Sequence, residues 1–287
     1  MPDKSYDAVI VGGGSNALVT ALYLARNGMK VGIFDRRYEV GGEFCSDELP
    51  SPGFIMNTCA TFIRFFLCPA LYDFNLRQYG LQLVMPEPSQ SVIFDDESAI
   101  VIYGTKKVDL ETGKMTPVPE HLEKNLKSIA DQSVQDADTC AKWANIFREK
   151  GLGEKIEKWL YTPPTLENEK VLIDEIMATG DVDPRWPYMS IGELAYDLFE
   201  SDAMRSYFMR LGQGHTGSYP MTVQNLMFNL HQVGSMAGGL PVSISVGGTH
   251  NMAHAMQKAL SSMGSDFLSI VKLIRSSWKM EKRQALF

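Results

Sequence analysis

Apolar runs and glycine turns alternate in a fixed order at the start of the chain. Ala8 to Val11 is a short apolar run, Gly12-Gly13-Gly14 a turn, and about Asn16 to Asn27 a helical stretch. Lys30 to Phe34 is a second apolar run that closes on Asp35. The pattern predicts strand, turn, helix and strand, a βαβ unit. Further on, Ser91 to Tyr103 holds two β-rich runs around an acidic turn, Asp95-Asp96-Glu97, which predicts a hairpin with a solvated tip rather than a metal cluster. From His121 to Tyr161, Leu122, Leu126, Ile129, Trp143, Ile146 and Phe147 recur at threes and fours and predict amphipathic helices. Thr162-Pro163-Pro164 and Pro184 to Pro187 break them. Met189 to Leu211 reads as helix again, opened by a capping box of Ser190 and Glu193. Gly212 to Pro220 reads as a polar, glycine-rich loop holding His215, which could close over a ligand or merely connect two helices.

The glycines of the first turn occupy Gly12-x-Gly14-x-x-Ala17, the spacing of a dinucleotide fingerprint. Gly12 permits the tight turn, Gly14 lets backbone approach a pyrophosphate, and the small Ala17 lets helix and strand pack closely. Phosphates would sit on the free N–H groups where Ser15 and Asn16 open the helix, an end the macrodipole makes attractive to anions. Asp35 stands at the end of the second strand, placed to accept from a ribose diol. Arg36 and Arg37 could instead hold a 2′-phosphate and point to NADP, but a carboxylate at 35 repels that group.

A second glycine pair, Gly41-Gly42, follows in Asp35-Arg-Arg-Tyr-Glu-Val-Gly-Gly. With Gly-Gly-Gly-Ser-Asn-Ala-Leu-Val before it, this two-part motif resembles the FAD enzymes of the amine oxidase superfamily. The resemblance is to their phytoene dehydrogenase-like branch, with carotenoid desaturases, isomerases and pyridine nucleotide-disulphide oxidoreductase domain 2-like proteins. It implies FAD as cofactor, with Gly41 and Gly42 near its phosphates, and a segment from Pro52-Gly-Phe passing near the flavin ring. Gly247-Gly248, Met252 and Ala259-Leu260 match the family's returning segment. The implied fold is α/β: a Rossmann-like FAD-binding domain with an inserted helical and β-hairpin substrate region. Its expected divisions are residues 1–70, the first FAD-binding segment; 71–234, the insertion; 235–265, the returning segment; and 266–287, a divergent tail.

In that tail Phe267, Ile270, Val271, Ile274 and Trp278 follow helical spacing among Lys272, Arg275, Lys279, Lys282 and Arg283. Two readings stay open: a basic amphipathic helix for an anionic membrane surface or a partner, or a helical end covering apolar surface. His250 and His254 lie four apart on one helix face, but no third ligand accompanies them, which favours a surface or interdomain pair over a metal site.

Composition narrows the field. The 287 residues are 45% hydrophobic and carry a net charge of −7, a globular chain with no electrostatic footprint for nucleic acid. Cys45, Cys59, Cys68 and Cys140 form no CxxC pair or zinc spacing, as expected of reduced intracellular thiols. No apolar run approaches the ~20 residues of a membrane span, and the start leaves no room for a signal peptide. The expectation is an intracellular protein, cytoplasmic or peripheral to a membrane.

The leading reading is an FAD-dependent oxidoreductase that moves a hydride, or assists isomerisation, on an apolar, isoprenoid-like small molecule. Sixteen methionines suit a greasy substrate tunnel and equally an ordinary core. The resemblance covers residues 5 to about 265, and its later pattern is not met, so a truncated, non-catalytic dinucleotide-binding fragment acting through a partner is the alternative. An NAD(P)-linked dehydrogenase is weakened by Gly41-Gly42 and by the lack of a catalytic His or Tyr-Lys motif. No catalytic residue is assigned.

Overall fold

A computed structural model describes residues 4–60, 63–163, 165–216, 221, 223, 226–239 and 241–269. In chain order they form β1 (Ala8–Val11), α1 (Ser15–Arg26), β2 (Val31–Phe34), β3 (Ser46–Ser51), β4 (Phe54–Asn57), α2 (Pro69–Asp73) and β5 (Leu83–Val84). Next come β6 (Pro88–Ile93), β7 (Ala99–Tyr103), β8 (Lys106–Val108) and β9 (Met115–Pro117). Seven helices follow: α3 (Pro119–Ala130), α4 (Val134–Glu149), α5 (Leu152–Tyr161), α6 (Leu166–Met177), α7 (Ile191–Leu198), α8 (Asp202–Thr216) and α9 (Leu226–Gly238). The last described elements are β10 (Ile244–Ser245), α10 (His250–Ser262) and β11 (Asp266–Leu268).

The chain divides into two units. The first takes in residues up to Val84, Leu110–Gly113 and those from Ser243 onward; the second takes in Met85–Asp109 and Lys114–Val242. The first segment thus continues past residue 70, and the return begins at Ser243 rather than 235, because α9 runs on to Gly238 inside the second unit.

In the first unit β2 is the centre of a parallel sheet ordered β1-β2-β11. Its Val31, Gly32 and Ile33 are buried, as a central parallel strand covered on both faces requires. Helices α1 and α10 pack together, burying Leu18 and Leu22 from one and Met252, Met256 and Leu260 from the other. The N-terminus of α10 is capped from a distance: Thr249 N–H donates to Asn57 Oδ1 at 2.9 Å, and His250 N–H to Ser46 Oγ at 3.3 Å. Gly248 has φ +100°, and a side chain there would strike Ser46. The Gly247-Gly248 pair is therefore needed to seat the β3–β4 hairpin on α10.

One expectation fails here. Phe267 is not the start of a helix; Asp266, Phe267 and Leu268 form β11, in register with Gly32, Ile33 and Phe34 of β2. The backbone groups of β2 supply what the local spacing could not announce. Residues 270–287, the rest of the expected basic tail, lie outside the described residues.

The second unit is a helical core. Trp143 and Trp186 meet at 4.8 Å between ring centroids, in a buried cluster that also holds Ile129, Ile176, Leu194, Phe208 and Leu230. The predicted hairpin is β6–β7, with its turn at Phe94 to Ser98. Buried Asn125 of α3 takes the place of a strand partner for β7: its Oδ1 accepts from Tyr103 N–H at 2.7 Å and its Nδ2 donates to Tyr103 O at 2.9 Å.

Two helical expectations change. The stretch from Met189 to Leu211 is two helices, α7 with its capping box intact and α8. Buried Asp136 of α4 accepts from Glu200 N–H at 2.8 Å and Ser201 N–H at 3.1 Å, holding the chain out of helix between them. The glycine-rich stretch from Gly212 is not a loop at first either, since α8 continues to Thr216. A Cβ on Gly212 would lie 2.9 Å from Ile191, so this glycine serves close packing of α8 on α7. The His215 side chain and residues 217–220 lie outside what is described.

Candidate dinucleotide-binding site

Where β1 and β2 end, two glycine turns interlock. Gly12 has φ +92°, a left-handed conformation that favours glycine, and its N–H donates to Phe34 O at 2.7 Å. Gly13 is walled in: a Cβ there would lie 2.8 Å from Val40. The second turn returns the contact, with Gly41 N–H donating to Gly13 O at 2.7 Å. Gly41 has φ +128°, and a Cβ on it would lie 2.6 Å from Phe44 O. Gly42 has φ +62°, and its Cβ would stand 3.0 Å from Gly14 Cα. The second glycine pair therefore has steric reasons of its own.

Between the turns and the start of α1 lies an open cleft of about 270 Å³. Six sequence-predicted residues line it together: Gly12, Gly14, Ser15, Asn16, Ala17 and Gly42. The N–H groups of Ser15, Asn16 and Ala17 lie in the first turn of α1, where no intrahelical acceptor exists, and that turn carries no acidic side chain. Gly14, the N-cap, has φ −71°, a conformation open to any residue. A Cβ there would meet nothing within 4 Å. Glycine at 14 is thus required neither by its own φ nor by what an added Cβ would meet, and the open cleft lies in front of it.

Four predicted residues do not line the cleft, and each but Arg36 has a structural task. Gly41 braces the first turn, as above. Half-buried Asp35 accepts from Gly13 N–H at 2.5 Å through Oδ2 and from Arg37 N–H at 2.8 Å through Oδ1. Its carboxylate thus ties the first glycine turn to the segment after β2, with lone pairs left for a diol. Arg37 donates from Nη1 to Gly42 O at 3.0 Å, bracing the second turn rather than waiting for a phosphate. Arg36 is exposed.

Glu43 was missed. It follows the glycine pair, lines the cleft, and accepts from Ser15 Oγ at 2.8 Å. Its only sequence signal is its place after Gly42. Cys45 Sγ lies 2.6 Å from Thr58 Oγ1. The paired histidines face a carboxylate: His254 Nε2 lies 2.6 Å from Glu39 Oε1, and His250, stacked on His254 at 4.9 Å, has its Nδ1 3.9 Å from the same oxygen. Among the described residues no group of three such side chains is arranged to hold a metal ion.

This sheet, helix and cleft define a Rossmann-like, dinucleotide-binding α/β protein. Residues 10–73 match the family model of the NAD(P)-binding Rossmann-like domain. One of the subunits of limonene dehydrogenase from Castellaniella defragrans is 26% identical over 268 residues, covering 89% of this chain and 43% of that protein. Pyridine nucleotide-disulfide oxidoreductase domain-containing protein 2 of Rattus norvegicus is 39% identical over 84 residues, which is 29% of this chain and 14% of that protein. Putrescine oxidase bound to putrescine shares the fold, with a TM-score of 0.52 at 14% identity, over 94% of this chain and 51% of that one. The chain thus spans about half, or less, of these proteins. The matches fit the oxidoreductase superfamily that the two-part glycine motif resembles.

Proposed function

We propose that this chain forms the FAD-binding part of a flavin-dependent oxidoreductase acting on an apolar, isoprenoid-like small molecule. The observation that carries it is Gly14: a glycine with ordinary backbone whose added Cβ would meet nothing within 4 Å, at the N-terminus of a helix that faces an open cleft. Such a residue makes sense as the point where a pyrophosphate passes close to the chain. The N–H groups of Ser15, Asn16 and Ala17 and the hydroxyl of Ser15 would hold the phosphates. Asp35 would take the ribose hydroxyls with its remaining lone pairs, while Arg37 keeps the second glycine turn in place. The Asp35 carboxylate and the engagement of Arg37 with Gly42 O favour a cofactor without a 2′-phosphate. FAD, when bound, supplies hydride chemistry, and the protein supplies position and electrostatics. For the substrate class, support comes from the similarity to the limonene dehydrogenase protein, since limonene is an apolar terpene hydrocarbon. Hydride transfer and flavin-assisted isomerisation both suit such a substrate.

A visible absorption spectrum of the purified chain, taken with added FAD after gel filtration and again after denaturation, tests the reading. Flavin bands that travel with the protein and leave on unfolding are expected, with NADH and NADPH bound more weakly in parallel titrations. A chain that takes up no FAD, or that prefers NADPH, overturns it.

A further inference from the structure

We propose that Glu43 gates the cofactor cleft, its carboxylate competing with dinucleotide phosphate for Ser15 and the N-terminus of α1. The inference rests on the dinucleotide reading above and adds a regulatory residue to that site. Helix α1 brings no acid of its own to its first turn; the carboxylate beside it comes from the second glycine turn, 28 residues away. Ser15 has one hydroxyl proton, and it is directed to Glu43 Oε1 at 2.8 Å. The same proton cannot also serve a phosphate oxygen.

The placement of Glu43 follows from its neighbours. Gly42 turns the chain at φ +62° close against Gly14, and Arg37 holds Gly42 O at 3.0 Å. The next residue is thereby delivered to the rim of the cleft, where it is exposed and can swing out. A carboxylate and a phosphate are alternative anions for one helix end, and two of them crowded there repel. Phosphate entry therefore requires Glu43 to leave Ser15.

Calorimetric titration of the wild-type chain, Glu43→Gln and Glu43→Asp with FAD, ADP and adenosine reads this directly. At low salt Glu43→Gln should bind FAD and ADP about tenfold tighter than wild type, the scale of one close charge repulsion near a protein surface. Adenosine, which has no phosphate, should bind both alike. Glu43→Asp, which keeps the charge, should stay within about threefold of wild type, and the gain of Glu43→Gln should shrink as salt screens the charges. Equal or weaker binding of FAD and ADP by Glu43→Gln, or an equal gain for adenosine, overturns the gate and leaves the FAD reading standing. Failure of wild type and Glu43→Gln alike to take up FAD or ADP overturns both.

Discussion

The glycines of the two turns at the cleft and those inside the helices of the second unit do different work. In the first unit Gly12, Gly41 and Gly42 have positive φ and shape the two interlocking turns, and Gly247 and Gly248, also at positive φ, shape the turn before α10. In the helical unit Gly212 and Gly234 sit within α8 and α9 and are small because a neighbour is near: Ile191 for one, the Phe147 ring for the other. Gly14 fits neither class: its φ is ordinary, an added Cβ would meet nothing within 4 Å, and of the glycines with those two properties it is the one that lines the cleft. The first unit's turns are held by hydrogen bonds, backbone to backbone and through Asp35 and Arg37, whereas the second unit is built around a cluster of buried apolar side chains. A perturbation should therefore register as lost binding in one and as lost stability in the other.

Thiol reactivity gives the largest contrast. Cys59, in the first unit, is exposed, whereas Cys140 of α4 is buried. Burial pushes the Cys140 thiol up to about 12, with the nearby Asp136 charge adding to it. Iodoacetamide at pH 8 should label Cys59 readily and Cys140 at least about a thousandfold more slowly until the chain unfolds, as mass spectrometry of timed samples would show. Because the folded state holds that proton more tightly than the unfolded chain, its contribution is complete below the ordinary value of 9.0 and is lost as pH rises through about 12.

Next in size is Asp136→Ala. It removes the acceptor of the Glu200 and Ser201 N–H groups and of the Ser201 hydroxyl, and should cost the helical unit about 3 kcal/mol. Urea unfolding followed by fluorescence of Trp143 and Trp186 checks it; FAD uptake below the transition should stay intact. Gly14→Val should do the reverse. Cofactor affinity should fall at least about a hundredfold, roughly 2.7 kcal/mol, with the thermal midpoint of the free chain held within about 2 °C. Retained affinity would remove the ligand from this cleft.

Gly234→Ala forces a methyl group into the Phe147 ring and should cost about 2 kcal/mol of stability without touching cofactor affinity. The smallest effect is expected of Asp35→Ala, about a tenfold loss of FAD affinity measured by fluorescence titration. A simultaneous rise in proteolysis near Gly13 and Arg37 would show that the carboxylate holds the turn as well as the ribose.

The βαβ unit was legible because everything that forms it is local: apolar runs of four residues, a glycine turn, a helix, and an acid closing the second strand. The same locality carried six cleft-lining residues and the Ser190–Glu193 capping box. Glu43 was not legible, since only the crossing of two turns brings it to Ser15. Glu39 escaped notice beside His254 for the same reason.

By itself, then, the amino-acid sequence determined the βαβ signature, the two glycine turns and the alternation of a cofactor unit with a helical one. Periodicity and turn chemistry act within a few residues and need no partner. Tertiary structure alone decided three other matters. It broke the stretch from Met189 at Phe199 to Ser201, where Asp136 of a distant helix takes the backbone N–H groups. It carried α8 through Gly212, where Ile191 leaves room for no side chain. It also drew Asp266 to Leu268 into a strand, because β2 offers free backbone groups at that edge. A segment's local preference is worth a few tenths of a kcal/mol per residue, less than the hydrogen bonds and close packing a remote partner supplies.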